Sequence, residues 1–542
     1  MELTVEDFVP YEESVIWRIQ DAYFERCGKA AWAGGKIPYV ATSNYAIARQ
    51  HARLLVAHVA ELERRGALRA GEPVRILEVG SGLGLFAINF IRALERGSGP
   101  EGRAVRGRLR YILSDCSAAS LRDVIQDERL AGLVAAGTIV PAVLDMRRPT
   151  ELADLDGRRL EEPLAAVIAN YVVCVLTPRI VQKTPAGLAA LRVKVVANVP
   201  DEEAAAPDAA RRWLERSYAA ASSSDILKEL ELRYAWQPVD LEALLPDSRD
   251  RSALVETLDP FPLATVVYPD VFFAFARAVK GLLVPGGLLL VNDFGRPRAR
   301  DLEGIRDRRA AHYGNSLAHE VNFALFDAFC RVEGLALLRT RRWALSIHTA
   351  AIWYRDSVPE ELARVFRGTH AKNEDGQDLL QLRAAAMAAA AAEDHVGAVR
   401  HFSRCHRLDP HSPEILYHLG LACLHGGQAR RALAWFRKGL RLPLDPKFDF
   451  EFQTGRALAI LERHADARAV FEGALAREEH PATRANLAYV CEQLQDYKNA
   501  YINYRRALQL DPEGPLAVTI MKKLVEQYLP EDWAVETVDQ EA

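Results

Sequence analysis

The chain has few cysteines and no long apolar run. The first feature argues against a disulfide-rich protein, and the second argues against a membrane-spanning protein. The 7 cysteines of the chain are scattered along 542 residues and form no CxxC pair. This spacing excludes a disulfide framework and a cysteine-based zinc site, so we expect a reducing, cytoplasmic setting and no metal. No apolar stretch approaches the ~20 residues of a membrane span. The acidic N-terminus, MELTVEDFVPYEES, lacks a signal-peptide core.

An excess of charge of one sign is also missing. The 69 Lys and Arg residues and the 73 Asp and Glu residues give a net charge of −4 at pH 7. Without a broad basic field, the chain lacks the electrostatic footprint of a protein that binds nucleic acid or an anionic membrane. Hydrophobic residues make up 49% of the chain, so large cores are possible. The length suggests roughly three or four domains.

The C-terminal third repeats itself. A small residue recurs at positions 386, 420, 455 and 488, which are 34, 35 and 33 residues apart. A small side chain there lets two antiparallel helices approach closely. A second small residue recurs where the helices cross, and an aromatic residue follows four positions later to fill the seam. The recurring residues are Ala386, Gly420, Gly455 and Ala488, then Ala398, Ala432, Ala467 and Ala500, and finally Phe402, Phe436, Phe471 and Tyr504.

This pattern resembles the tetratricopeptide repeat, in four copies over residues 379–530 with a cap helix at Pro515 to Tyr528. The resemblance implies an all-α solenoid whose groove binds a protein or peptide. The alternative is a scaffold for assembly only, so a homo-oligomer stays open.

A glycine-rich turn follows a short apolar run at RILEVGSGLGL, Arg75 to Leu85. Arg75 to Val79 is predicted to be a buried strand, and Phe86 to Leu94 the helix after it. Glycine permits the positive φ and the close backbone approach of such a turn. A dinucleotide-binding fingerprint requires a further glycine at position 85, which is leucine here. The turn glycines are Gly80, Gly82 and Gly84.

The GxGxG spacing, with Glu78 two residues ahead, resembles motif I of class I S-adenosylmethionine (SAM) methyltransferases. The resemblance implies a Rossmann-like α/β domain that uses SAM as its cofactor. The motif makes Glu78, Gly80, Ser81, Gly82 and Gly84 candidate cofactor-binding residues.

Acidic residues follow the next two predicted strands. Leu109 to Ser114 ends at Asp115, where a carboxylate can accept hydrogen bonds from both ribose hydroxyls. Thr138 to Leu144 ends at Asp145, and the resemblance places that acid near the adenine amino group with Met146 on the ring. The fourth strand, Leu164 to Ala169, is followed by Asn170. Cys116 and Asn170 complete the candidate cofactor residues.

Each of these residues has a structural alternative. Asp115 can instead cap the helix predicted to begin near Ser117. Asp145 precedes Arg147 and Arg148 and can instead form a surface ion pair. Cys116 can be a small packing residue.

Further stretches resemble a narrower family over about residues 20–350. They are GKIPYVATSNYAIARQHARLL (35–55), ANYVVCVLTPRIVQK (169–183), NDFG (292–295) and HYGNSLAHEVNF (312–323). Together they are similar to the family of the mitochondrial complex I assembly arginine methyltransferase. The resemblance implies that Tyr171, Asp293 and His319 face the acceptor. His319 is the candidate general base because imidazole titrates near neutral pH, and a hydrogen-bonded core histidine is its alternative.

Two positions depart from that family. Tyr171 stands where the family has glutamate, and Cys174 stands where it has aspartate. A guanidinium acceptor requires carboxylates to hold it and take its proton. Arginine methylation by the same geometry is therefore not predicted.

The predicted organisation has four parts. Residues 1–71 form a mostly helical segment over the cofactor pocket, and residues 72–355 form the methyltransferase domain with an insertion at about 176–262. Residues 356–378 form a linker, and the repeats follow at 379–530. The leading hypothesis is a SAM-dependent methyltransferase for a protein or peptide that the repeats recruit. A small-molecule methyltransferase with repeats for assembly, and a non-catalytic SAM-binding scaffold, are the alternatives.

Overall fold

The computed structural model describes residues 1–28, 31, 40–304, 310–340, 347–370, 374–442 and 448–528. Tyr39, in the stretch 35–55 that resembles the narrower family, lies outside them. The chain forms two compact units, Met1–Asp378 and Leu379–Ala542. The division falls within the helix Glu374–Ala391.

The strands belong to the first unit. They are β1 (Glu2–Pro10), β2 (Val74–Val79), β3 (Leu109–Asp115), β4 (Ile139–Val143), β5 (Ala153–Asp154), β6 (Leu164–Asn170), β7 (Arg179–Thr184), β8 (Gly187–Asn198), β9 (Leu230–Pro238), β10 (Ala264–Tyr268), β11 (Leu283–Arg296), β12 (Ala311–Tyr313), β13 (Ser316–Ala318), β14 (Val321–Asn322), β15 (Ala336–Arg339) and β16 (Ile347–Trp353).

Helices occur in both units. Those of the first are α1 (Val15–Cys27), α2 (Val40–Ser43), α3 (Tyr45–Arg64), α4 (Leu85–Arg96), α5 (Gly99–Gly107), α6 (Ala118–Val124), α7 (Glu128–Ala135), α8 (Asp201–Ala204), α9 (Ala209–Ala220), α10 (Leu241–Leu244), α11 (Ser248–Leu258), α12 (Asp270–Ala278), α13 (Phe323–Glu333) and α14 (Glu360–Thr369). From the division onward they are α15 (Glu374–Ala391), α16 (His395–Leu408), α17 (Pro413–His425), α18 (Ala429–Gly439), α19 (Phe450–Ile460), α20 (His464–Leu475), α21 (Pro481–Gln493), α22 (Tyr497–Leu510) and α23 (Ala517–Lys523).

A nine-stranded sheet forms the centre of the first unit, in the order β15-β16-β11-β6-β2-β3-β4-β5 with β14 beside β11. The strands β4, β3, β2, β6 and β11 run parallel, and β16 is antiparallel to β11. Every residue of β6, LAAVIAN, is buried, as expected for a parallel strand covered on both faces. The strand order reverses between β2 and β6, and this edge of the sheet positions the candidate site.

The last parallel strand, β11, runs from Leu283 to Arg296. It pairs with β6 as far as Asn292, with β16 as far as Phe294, and with β14 at Gly295 and Arg296. Asp293 therefore lies inside the sheet.

A second sheet includes the first strand of the N-terminal segment, whose other described elements are helices. The strand β1 pairs antiparallel with β8, in a five-stranded sheet of order β1-β8-β7-β10 with β9 beside β8. Alternation places Leu3 and Val5 in the core and their neighbours outside. The predicted insertion, about 176–262, supplies β7, β8 and β9. The N-terminus and the insertion thus form one antiparallel layer.

The predicted linker is partly a packed helix. Within 356–378, α14 buries Leu362, Ala363 and Phe366 and packs against α3. Their spacing places these apolar residues on one helical face. The first unit therefore extends past residue 355 and includes α14.

The second unit stacks helices in pairs. Helix α17 packs on α18, α19 on α20, and α21 on α22, around one apolar core. A Cβ at Gly420 would overlap the ring of Phe436, and a Cβ at Gly455 would overlap the ring of Phe471. The aromatic residue therefore requires the small residue, which is the physical reason for the sequence pattern.

We expect Gly420→Ala to lower the free energy of unfolding by about 1–3 kcal/mol because the added methyl group overpacks the core. The matched control is Gly473→Ala, since an added Cβ there meets no atom within 4 Å. That variant should be unchanged or more stable by up to ~1 kcal/mol. Urea unfolding followed by far-ultraviolet circular dichroism measures both. Equal stability of the two variants would contradict the close packing.

Candidate functional site

A cavity of about 230 Å³ lies at the carboxyl ends of β2, β3, β4 and β6. Helix α1 and the segment after β6 complete its wall. Ligands of open α/β sheets bind at this position, where the strand order reverses. The cavity is lined by Gln20, Asp21, Phe24, Glu25, Gly28, Val79, Gly80, Asp115, Cys116, Ser117, Ser120, Leu144, Asp145, Met146, Arg147, Tyr171, Val172, Val175, Leu176 and Thr177.

The glycine turn contributes one predicted residue to the wall. Gly80 lines the cavity with φ 74°, and a Cβ there would lie 3.2 Å from the Val172 side chain. Gly84, with φ 67°, begins α4, and a Cβ there would lie 2.6 Å from Leu130. Ser81, Gly82 and Gly84 shape the turn without lining the cavity.

Asp115 lies at the end of β3, as predicted, and lines the cavity. Its carboxylate accepts hydrogen bonds from the Ser117 amide at 3.1 Å and from the Ser81 hydroxyl at 3.3 Å. Burial in the wall raises the pKa of Asp115, and these hydrogen bonds oppose that rise. The Ser117 side chain caps helix α6, so the N-cap residue is Ser117 and not Asp115. Cys116 also lines the cavity.

Asp145 and Met146 line the cavity beyond β4, as predicted. The Asp145 carboxylate accepts a hydrogen bond from the Arg147 amide at 2.8 Å, and the Arg147 guanidinium is 3.9 Å away. Arg148 pairs with Glu151 instead. Of Arg147 and Arg148, therefore, only Arg147 forms the ion pair with Asp145 that was the structural alternative. The Met146 side chain is buried beside the cavity.

Helix α1 supplies four wall residues that the sequence analysis did not single out: Gln20, Asp21, Phe24 and Glu25. Loss of solvent at the wall raises the pKa of Asp21, the Arg147 charge opposes this rise, and the charge of Glu25 adds to it. A sequence signal existed, because Gln20 is polar within the buried face of an amphipathic helix.

The cavity wall carries far more negative than positive charge. Asp21, Glu25, Asp115 and Asp145 all line it, and Arg147 is the one Lys or Arg among the described lining residues. The rest of the wall is largely apolar. An arrangement of this kind favours a ligand with an apolar body and positive charge.

Of the three residues predicted to face the acceptor, one lines the cavity and two lie behind its wall. Tyr171 lines the cavity and holds a positive φ of 58°, which is rare for a residue with a large side chain. Asp293 is fully buried and accepts hydrogen bonds from the Cys174 amide at 3.1 Å and the Phe294 amide at 2.9 Å. Burial raises the pKa of Asp293 to about 6.

His319 is placed differently from the prediction. It is 3% exposed, its Nε2 is 2.9 Å from the Tyr11 hydroxyl, and its ring lies against Trp17. Its amide donates to the Cys174 carbonyl at 2.8 Å. His319 therefore supports the wall from behind, and it does not line the cavity.

Two further predicted cofactor residues are also held inside the fold. The buried carboxyl of Glu78 accepts a hydrogen bond from the Tyr111 hydroxyl at 2.8 Å, and burial raises its pKa to about 8. The Asn170 side chain accepts a hydrogen bond from Asn292 at 3.0 Å. Neither residue lines the cavity, and each side chain bonds a residue of a neighbouring strand.

In the described part of the chain, no group of three or more His, Cys, Asp or Glu side chains is arranged to hold a metal ion. In the same ranges no helix combines the length and hydropathy that a membrane span requires.

A family model of the tetratricopeptide repeat matches residues 482–513. This match confirms the repeat type in that segment, which includes all of α22 and all but the first residue of α21. No curated protein matches the chain.

Several solved structures are similar to parts of the chain. A Burkholderia thailandensis protein solved with S-adenosyl-homocysteine, and provisionally described as a methyl transferase, is 15% identical. The alignment covers 68% of this chain and 92% of that one, with a TM-score of 0.42. A tetratricopeptide-repeat protein of Thermus thermophilus is 21% identical over 31% of this chain and 90% of that one, with a TM-score of 0.25.

A third similar structure is MamA from Desulfovibrio magneticus. It is 20% identical, covers 28% of this chain and 94% of that one, and has a TM-score of 0.24. At these sequence identities and TM-scores, the similar structures do not establish the chemistry of this chain.

We expect Glu78→Gln to change how stability depends on pH. Folded Glu78 keeps its proton up to about pH 8, whereas an unfolded glutamate ionises near 4.5. Between these values the folded chain binds the extra proton, so the free energy of unfolding falls as pH rises, by up to ~1.4 kcal/mol per unit. Glutamine keeps an acceptor oxygen for Tyr111 and does not titrate. The variant should therefore gain stability relative to the wild type as pH rises.

Urea unfolding of both chains, at several values between about pH 5 and about pH 8, measures this difference. A stability difference that stays constant over this range would show that Glu78 is ionised in the folded chain.

Proposed function

We propose that the first unit is a SAM-dependent methyltransferase and that the repeat unit recruits its protein or peptide acceptor. The observation that supports this proposal most is the convergence of Gly80, Asp115, Asp145 and Met146 on one cavity. These residues come from three different strand ends and match the positions that the motif-I resemblance implies. The cavity lies at the reversal of strand order, where nucleotide-type ligands bind.

The donor set fits SAM in shape and charge. The Asp115 carboxylate suits the ribose hydroxyls, and Asp145 with Met146 suits the adenine. SAM carries a positive sulfonium and a positive ammonium group, and four carboxylates line the cavity. Opposite charges in a partly buried site attract more strongly than in water. The absence of a side chain at Gly80 lets Val172 lie against the backbone there, since a Cβ would come within 3.2 Å of the Val172 side chain.

Bound SAM would supply a methyl group that its sulfonium makes electrophilic. The residues of this chain would then orient the acceptor and exclude water. Alignment alone can contribute roughly 7–11 kcal/mol to lowering a barrier. Tyr171, whose strained backbone turns it into the wall, and the apolar residues Val172 and Val175 would form the acceptor side of the cavity.

Proton removal from the acceptor would fall to groups at the cavity. Asp293 and His319 lie behind the wall, so they would act by holding the segment that carries Tyr171. Asp21 and Glu25 on α1 are carboxylates that line the cavity and can hold a cationic acceptor or take its proton. They would take the place of the two carboxylates of the family pattern, whose positions are occupied here by Tyr171 and Cys174.

The repeat unit would raise the acceptor concentration near the first unit. Tethering by a short flexible connection gives effective concentrations in the mM range. A groove between stacked helix pairs suits an extended peptide or a helix of a partner.

One observation favours the second candidate, a SAM-binding scaffold without catalysis. Both predicted acid–base residues, Asp293 and His319, are buried away from the cavity. Such a protein would bind SAM and its demethylated product and transfer no methyl group. A methyltransferase for a small molecule, with the repeats serving assembly, is the remaining alternative.

We expect Asp115→Ala to weaken S-adenosyl-homocysteine binding by about 1.5–3 kcal/mol, the scale of hydrogen bonds to a charged group. Isothermal titration calorimetry measures the affinity. The control is Asp156→Ala, which removes an exposed carboxylate away from the cavity and should bind as the wild type does. Equal affinities in two folded variants would remove Asp115 from the cofactor site.

Removal of the repeats should separate recruitment from chemistry. A chain that ends at Ala391 keeps α14 and α15. We expect its SAM affinity to be unchanged and its KM for a protein acceptor to rise, because only ground-state binding is lost. Transfer of labelled methyl groups from SAM to proteins of a cell lysate, at low acceptor concentration, measures this effect. Undiminished transfer would contradict recruitment of the acceptor by the repeats.

A further inference from the structure

One side of the cavity wall consists of two segments that are distant along the chain, and β13 contacts both. Helix α1 contributes Gln20 and Phe24, and the segment after β6 contributes Tyr171 and Val175. Strand β13 lies behind both, and its neighbour His319 donates an amide hydrogen bond to the Cys174 carbonyl. The shape of the cavity depends on how these segments are held together.

Gln20 bonds to the segment after β6 and to β13 at once. Its side-chain amide nitrogen donates to the Val175 carbonyl at 2.9 Å, and its amide oxygen accepts from the Leu317 amide at 2.6 Å. Since a carbonyl only accepts and a backbone amide only donates, these partners settle which end of the Gln20 amide is oxygen. Gln20 is 4% exposed and also lines the cavity.

We propose that Gln20 is a positioning residue that sets the width of the cavity by joining α1, the segment 171–176 and β13. The proposal rests on the proposed function, since the ligand that reports the width is the SAM product. Without Gln20, a carbonyl and an amide in the wall would lose their partners. Unpaired buried backbone groups are costly, so the wall would rearrange to find water or other partners.

The rearrangement would move residues of both wall segments. Phe24 follows Gln20 by one helical turn, so a shift of α1 carries it along. Val175 lies in the short turn Val173–Val175, which carries Val172 and Tyr171 with it. A loose wall holds a ligand less well because the ligand must then pay the ordering entropy of both segments.

The test uses Gln20→Met in the full chain, because methionine keeps the length of the side chain and removes both hydrogen bonds. The control is Gln182→Met. Gln182 is also buried and bonds Thr265 at 3.1 Å, but it lies on β7 and does not line the cavity. The probe is S-adenosyl-homocysteine, with affinity measured by calorimetry at a temperature where both variants are folded.

We expect Gln20→Met to weaken binding about tenfold or more, the effect of losing two buried hydrogen bonds at a site. Gln182→Met should bind within about twofold of the wild type, since it alters no cavity-lining residue. Hydrogen exchange of the amides in segments 171–176 and 316–318 should be faster in the Gln20 variant only. Wild-type affinity in the Gln20 variant would overturn the proposal, because Gln20 would then be structural only.

The exchange measurement keeps this proposal separate from the proposed function. If the wild-type chain does not bind the probe, SAM binding fails, and exchange in 171–176 alone decides whether Gln20 holds the wall. Unchanged exchange there would overturn the role of Gln20 whether or not the probe binds.

Discussion

The reversal of strand order between β2 and β6 is the constraint on which the candidate site depends. The chain adds β3 and β4 on one side of β2 and then returns to place β6 and β11 on the other. The connections leave the two central strands in opposite directions, so a crevice stays open at their carboxyl ends. Gly80 lies at this edge, and its bare backbone lets Val172 approach.

The polar residues around the crevice have two different tasks. Asp115, Asp145 and Asp21 face the cavity and give it a negative wall. Asp293 and His319 face away and hold the segment that carries Tyr171 through hydrogen bonds to Cys174. An active site requires both kinds, since groups that contact a ligand must themselves be held in place.

The sequence predicted those site residues that lie directly after strands. Asp115, Asp145 and Met146 were found because a run of apolar residues marks each strand and its end marks the sheet edge. The side chains of Glu78 and Asn170 bond residues of neighbouring strands and do not line the cavity, so their contact with a cofactor stays a prediction. Strand alternation was visible in the sequence, but which face of β2 meets the helices depends on the partner strands.

Local pattern was therefore sufficient for the glycine turn, for the parallel strands β2, β3, β4 and β6, and for the repeats. Each of these follows from the spacing of small, apolar and polar residues within a few helical turns or one strand. The cavity wall was decided by tertiary structure. Gln20 bonds Val175 and Leu317, which are 155 and 297 residues away along the chain. No local spacing records such contacts, because only the packing of α1 against the sheet edge brings these residues together.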